Sequence, residues 1–320
     1  MIPRLRFAHL PTPIESMQRL SAELKGPHFF IKRDDQTGLA FGGNKARKLE
    51  FIVAEAQAQG AHTLVTVGGI QSNHCRQTAA LAARYGFKCK LVLSGMDASM
   101  EGGNLLLDRL FGAEIYITSR DERDRAMRQI FDASWAAGER PYLIPLGASS
   151  ATGALGYAAA IDEMLAQEIQ PDWIVVASSS AGTQAGMILG ARRAGYTGRI
   201  LGISIDHSAA DLKSRVAGLA TEASERLGER IDFDPDEVDV NDQFLGKGYA
   251  VMGEPEREAI RLFGRLEGQV IGPVYTGRAA AGMIHLTRAG FFKETDTVLF
   301  WHTGDGPTLF SEPYARDINS

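Results

Sequence analysis

The chain reads as an α/β protein with two open, twisted parallel sheets, in two domains, and helices on both faces. Two observations predict this. From residue 60 onward short apolar runs alternate with helical patterns, the spacing of strand–helix–strand units. The alternation comes in two series, before and after roughly residue 155, so two domains with a cleft between them are expected.

The elements follow in order. The β-branched run 63-TLVTVGG-69 is a buried strand ending in glycine, and 72-SNHCRQTAALAARYG-86 is a helix. That helix opens on Ser72 or Asn73 as N-cap and closes on Gly86. Strand 88-KCKLVLSG-95 precedes a helix through 103-GNLLLDRLFG-112, and strand 114-EIYIT-118 precedes a helix over 121–138. In the second series 173-WIVVASS-179 leads into 183-TQAGMILGARRAG-195, and 200-ILGISI-205 leads into a helix near 208–227. A last strand begins at 297-TVLFWHTG-304. The acidic stretch 229-ERIDFDPDEVDV-240 reads as a solvated surface excursion.

Composition narrows the function classes. With 44% hydrophobic residues, 35 glycines and 320 positions, the chain suits a globular protein with many tight turns. A formal charge of −5 gives no footprint for nucleic acid or for an anionic membrane. Cys75 and Cys89 are the only cysteines, so no disulfide framework is implied and a reducing cytoplasm fits. The opening MIPRLRFAHLPTP has no apolar core of a signal peptide, and no apolar run is long enough for a bilayer. A cytoplasmic protein without membrane partners is therefore expected.

Ligands in open α/β sheets gather beyond the carboxyl ends of strands, so the strand-to-helix turns carry the interest. In 68-GGIQSNHCRQ-77 a helix opens on Ser72, Asn73 and His74, and its free N–H groups can hold a carboxylate. A plain helix cap accounts for the same residues. In 178-SSSAGTQAG-186 small residues and hydroxyls can close around a phosphate, with no Walker lysine and no G-x-G-x-x-G. A tight turn reads equally well. In 302-HTGDGP-307 Thr303 can point a hydroxyl into the cleft, and 272-GPVYTG-277 sets Tyr275 and Thr276 before a helix. A buried loop and a packing tyrosine are the plainer readings.

Other chemistries lack their signatures. The histidines form neither H-x-x-x-H nor H-E-x-x-H, and no G-x-S-x-G appears, so metal and serine-hydrolase sites are unsupported. What remains is 42-GGNKARKLEF-51, where Lys45 follows two glycines and an asparagine. Arg47 and Lys48 beside it read as helix-surface residues that face solvent or pair with acids. A glycine-flanked lysine, a non-nucleotide phosphate cup and a carboxylate-holding helix end are together what pyridoxal 5′-phosphate (PLP) requires.

These residues carry a family resemblance. The segments 31-IKRDD-35, 42-GGNKARKLE-50, 68-GGIQSNHCRQTAA-80, 153-GALGY-157, 180-SAGTQAG-186, 272-GPVYTG-277 and 302-HTG-304 span nearly the whole chain. In combination they resemble the PLP-dependent D-cysteine desulfhydrase and 1-aminocyclopropane-1-carboxylate deaminase family, which also includes L-cysteate sulfo-lyase. That family has fold type II, like the tryptophan-synthase β chain. The resemblance implies a large PLP-binding domain over 1–48 and 155–320, a small α/β domain over 49–154, PLP in the cleft between them, and a homodimer.

It also implies roles. Lys45 would hold PLP covalently and shuttle the substrate α-proton, and Asn73 would bond the cofactor's phenolic oxygen. Ser72, with the backbone of Asn73 and His74, would hold the substrate carboxylate, and its hydroxyl could move a proton. Ser180, Ala181, Gly182 and Thr183 would cup the phosphate. Tyr249 and Tyr275 would border substrate and ring, Tyr275 with a catalytic part, Thr276 would sit beside the substrate, and Thr303 would face the pyridine nitrogen.

Two positions sort the subgroups. The deaminase pattern has Glu where this chain has Thr276 and Leu where it has Thr303. A carboxylate at the pyridine nitrogen makes a deep electron sink for opening an unactivated ring. A neutral hydroxyl makes a weaker one, enough when a good leaving group sits on Cβ. D-Cysteine, giving sulfide, pyruvate and ammonia, is the expected substrate. L-Cysteate, giving sulfite, is the alternative, followed by the cyclopropane deaminase and a non-catalytic PLP-binding protein. Two departures bear on the choice. The family's H-T-G-G-x-P becomes 302-HTGDGP-307, where Asp305 should disfavour a dianionic substrate unless it points away. Lys247, in 246-GKGYAV-251, should favour an acidic one.

Overall fold

A computed structural model describes residues 2–95 and 102–318. The chain opens with β1 (Ile14–Ser16), α1 (Gln18–Leu24) and β2 (His28–Lys32), then enters α2 (Asn44–Ala58). A first series follows: β3 (Thr63–Gly69), α3 (Asn73–Tyr85), β4 (Lys88–Ser94), α4 (Gly103–Leu110), β5 (Glu114–Thr118), α5 (Arg123–Ala136) and β6 (Pro141–Ile144). After α6 (Ala151–Ala166) come β7 (Trp173–Ser178), α7 (Gly182–Ala194), β8 (Arg199–Ser204), α8 (Ala209–Arg226) and β9 (Val240–Asn241). The chain ends with α9 (Glu254–Glu267), α10 (Thr276–Arg288), β10 (Thr297–Trp301) and α11 (Tyr314–Asp317).

The strands form two sheets, in the orders β5-β4-β3-β6 and β1-β2-β10-β7-β8-β9. All pairings are parallel except β1 with β2, which is an antiparallel edge on the larger sheet. Four strands escaped the sequence reading. β1 and β2 precede the region where the alternation begins, β6 is four residues long and starts on Pro141, and β9 has two residues.

Period-two burial shows why the large sheet needs helices on both sides. Val175, Val298 and Phe300 pack with Phe263 of α9 and Met283 of α10. Their strand neighbours Ile174, Val176, Leu299 and Trp301 face Tyr157 and Ile161 of α6 and Met187 of α7. In the smaller sheet Leu64, Leu91 and Ile144 meet Leu49, Ile52 and Val53 of α2 and Ala79 of α3. No helix among the described residues is long and apolar enough to cross a membrane, and no cluster there could hold a metal ion.

One expectation holds only in part in α2: Arg47 pairs with acids, but neither it nor Lys48 lies on the surface, each being 1% exposed. The Arg47 guanidinium donates to both carboxylate oxygens of Asp34, at 2.7 and 2.8 Å, and to both of Glu163, each at 2.9 Å. Tyr157 and Trp301 also donate to Asp34, and Lys32 donates to Glu163. A buried guanidinium survives because every fork of it is matched by a carboxylate. The acids lie in other segments, so Arg47 looked like a surface residue in its local sequence.

Candidate active site

The carboxyl ends of β3, β7 and β10 and the start of α2 surround one cavity of about 1190 Å³. Lys45 lines it, on the first turn of α2. Gly43 explains the glycines before it: its φ is 124°, and a Cβ there would lie 3.1 Å from Thr303 O. Gly304 (φ 101°) meets it from the other side, since a Cβ there would sit 2.8 Å from Gly43 Cα. Bare backbone at both positions lets Asn44 N–H donate to Thr303 O at 2.9 Å. The lysine is thereby seated directly on the loop after β10.

Lys45 Nζ donates to Asn44 Oδ1 at 2.8 Å. Burial lowers its pKa to about 8; the Asp305 carboxylate opposes that shift and the Arg76 guanidinium adds to it. An amine titrating there is available as a nucleophile near neutral pH.

At the start of α3, Ser72 is the N-cap and its Oγ accepts from Cys75 N–H at 3.2 Å. Arg76 N–H bonds Ser72 O, which leaves the N–H groups of Asn73 and His74 without a partner among the described residues. All three residues line the cavity, so this end can receive a carboxylate. His74 Nε2 is bonded to Thr66 Oγ1, and burial pushes its pKa far down, so its ring is neutral.

The start of α7 makes a second anion site. Ser180, Ala181 and Thr183 line the cavity, and Ala181 at φ 68° turns the chain so that helix donors face inward. Gly182 N–H donates to Ser149 Oγ at 3.2 Å and to Ser180 O at 2.9 Å. Two residues packed behind this cup, outside the cavity lining, were not assigned to it in the sequence. Ser149 Oγ sits 2.8 Å from Ser180 Oγ, and Lys48 Nζ lies 3.2 Å from Ser149 Oγ. Lys48 has no acidic partner among the described residues, and burial with the nearby Lys45 charge holds its pKa well below the lysine range. The signals were there. Lys48 follows Lys45 at i+3, on the same helix face, and 146-LGASS-150 is another strand-to-helix turn of small residues.

The remaining predicted residues divide. Thr303 lines the cavity with a hydroxyl that bonds nothing among the described residues. Tyr249 and Tyr275 also line it and share a 2.7 Å hydrogen bond between their hydroxyls; burial raises Tyr249 to about 12, so both phenols stay protonated. Thr276 does not reach the cavity: it is fully buried, and its hydroxyl accepts from Gly272 N–H and donates to Gly304 O. Lys247 is exposed and outside the lining, whereas Arg120, Arg123 and Arg215 stand at the rim. Asp305 is in the lining but buried, with its oxygens engaged by four donors.

The residues present fit PLP. The α7 start, with Ser180 and Thr183 in the cavity wall and a lysine amine without an acid behind Ser149, matches a phosphate dianion, and a second lysine of lowered pKa stands one helical turn away in the lining. Such a cleft, between two parallel-rich α/β layers, defines a fold type II PLP-dependent enzyme. The family model described as "Pyridoxal-phosphate dependent enzyme" matches residues 5–304. The chain is 42% identical over 315 residues to a 1-aminocyclopropane-1-carboxylate deaminase of Methylobacterium nodulans, covering 93% of each. It is 39% identical over 320 residues to a D-cysteine desulfhydrase of Klebsiella pneumoniae, covering 97% of this chain and 96% of that one. A solved homologue of 1-aminocyclopropane-1-carboxylate deaminase superposes with a TM-score of 0.91 at 34% identity, covering 99% of this chain and 96% of that one. A fungal L-serine ammonia-lyase from Rhizomucor miehei shares the fold, with a TM-score of 0.71 at 17% identity and coverage of 98% and 99%. The chain belongs to the 1-aminocyclopropane-1-carboxylate deaminase and D-cysteine desulfhydrase family of PLP-dependent enzymes.

Proposed function

We propose that the protein eliminates the β-substituent of a small amino acid, with D-cysteine as substrate and sulfide, pyruvate and ammonia as products. The observation that carries this reading is the neutral hydroxyl of Thr303 in the cleft, with Thr276 tied to backbone. No carboxylate stands at either position to deepen the electron sink. Relatives bearing both names are similarly close, so these side chains carry more weight than the identities.

PLP, when bound, supplies the electron sink that makes a Cα–H acidic. The chain's own residues do the rest. Ser180, Thr183 and the α7 start would hold the phosphate, with Ser149 and Lys48 behind them, and Asn73 would donate to the phenolic oxygen. The α3 start and Ser72 fix the substrate carboxylate. Lys45 Nζ takes the α-proton and Ser72 Oγ is a second group that can carry one. The protonated Tyr249–Tyr275 pair can donate to the departing sulfur.

A second reading has L-cysteate as substrate, with release of sulfite. The cationic rim favours it: Arg120 lies 5.5 Å over the Tyr249 ring and 3.6 Å from Asp206. The test is a panel of D-cysteine, L-cysteine, L-cysteate and 1-aminocyclopropane-1-carboxylate. Sulfide with pyruvate from D-cysteine is expected, and sulfite from L-cysteate would favour the second reading. Formation of 2-oxobutyrate from the cyclic substrate would overturn both. The protein should be yellow with PLP, and Lys45→Ala should remove both the colour and the turnover. A PLP-loaded protein that makes neither pyruvate nor 2-oxobutyrate from any of these amino acids is a binding protein instead.

A further inference from the structure

Asp305 stands in a backbone conformation that suits glycine. Its φ is 81°, and it follows Gly304 in the loop after β10. A side chain there is strained relative to glycine, although Asp tolerates the region better than most residues. The carboxylate offsets this through its contacts. Oδ1 accepts from Asn73 Nδ2 at 2.6 Å and from Thr308 Oγ1 at 2.7 Å. Oδ2 accepts from the N–H groups of Val274 at 3.1 Å and Tyr275 at 2.9 Å.

All four partners are donors. Thr308 Oγ1 in turn accepts from Asn104, so its proton points at Asp305. Such an environment favours the carboxylate anion, against the burial that raises its pKa. Asn73 belongs to the small-sheet half, while Val274 and Tyr275 belong to the large-sheet half. With Nδ2 held by Asp305, Asn73 Oδ1 accepts from Arg76 and Asn104, which fixes the amide's sense. One Asn73 amide hydrogen remains for the cavity.

We propose that Asp305 is a positioning residue: its carboxylate ties the Asn73 amide to the Tyr275 backbone across the cleft and adds a fixed negative charge on the cofactor side. This rests on the assignment of Asn73 and Lys45 to PLP. Lys45 faces other charges too. The Arg76 guanidinium and Lys48 act against the effect of Asp305, and His74 is neutral. Asp305 is the anion among them, so removing its charge destabilises a cationic form of the bound cofactor and its lysine.

The test uses PLP-loaded protein and two variants, Asp305→Asn, which keeps shape, and Asp305→Gly, which relaxes the backbone. The visible band of bound PLP is titrated with pH. In both variants its midpoint should move to lower pH by roughly one unit, the size expected for loss of one close opposite charge. The kcat should fall by about tenfold with a smaller change in KM, as for loss of orientation. A purely structural role would weaken folding and leave the midpoint in place. If Asp305→Gly does not fold, Asp305→Asn decides. A wild-type midpoint and kcat in Asp305→Asn would overturn the proposal. Wild-type protein that takes up no PLP, or a PLP band that survives Lys45→Ala, would overturn the underlying reading and this inference with it.

Discussion

At Lys48 an amine is buried against Ser149 Oγ and Gly147 O with no acid to meet it among the described residues. Charging it in the cofactor-free protein costs stability, and a bound phosphate would compensate. Lys48→Met should therefore weaken PLP binding by at least about tenfold, read by absorbance titration, while leaving the cofactor-free protein as stable as wild type or more so. The pH dependence has a definite sign. The folded protein holds Lys48 below the usual lysine range, so the unfolded chain binds that proton more tightly. Stability of the cofactor-free protein should rise with pH between the folded and unfolded values, and Lys48→Met should lose that rise. Of the three positive charges in 45-KARK-48, only Lys45 was legible in sequence. Charged residues are seldom buried unless paired, and nothing local revealed the partners of Arg47 or the vacancy of charge around Lys48.

Helix α2 depends on the network beneath Lys45. Arg47→Met leaves Asp34 and Glu163 facing each other without their shared cation, and should cost about 3–5 kcal/mol in urea unfolding. The carboxylates of Asp34 and Glu163 are held below their usual range, chiefly by Arg47 against the burial penalty. Their contribution is present above the unfolded carboxylate values near about 4 and is lost as pH falls through the lower folded values. Arg47→Met should flatten that acid limb. Elements with strong local patterns were readable: the apolar runs at β3, β4, β5, β7, β8 and β10 each precede a helix or a glycine loop. β6 was not, because four residues beginning with proline carry little periodicity, and its place comes from pairing with β3.

Across the whole molecule, PLP contacts would come from both layers: Asn73 from the α3 start, Ser180 and Thr183 from the α7 start, Thr303 from the loop after β10. Binding should therefore raise the melting temperature by roughly 5 °C at a hundredfold excess over Kd, measured by calorimetry with and without PLP. The two strand–helix series predict two sheets, but not the passage of β1 and β2 into the second sheet. That pairing joins residues 28–32 to 297–301, a separation no local pattern reports. Helix α2 has a mechanical consequence. Its first residue is bonded to Thr303 of one layer, while Leu49, Ile52 and Val53 sit in the core of the other. Its other face is bound along its length to the helices of the large sheet: Phe51 packs with Ala154 and Leu155 of α6, and Glu55 accepts from Thr152 of α6 and Arg226 of α8. Helix α2 is therefore a splice across the joint, and the amine at its head is held still by both layers at once.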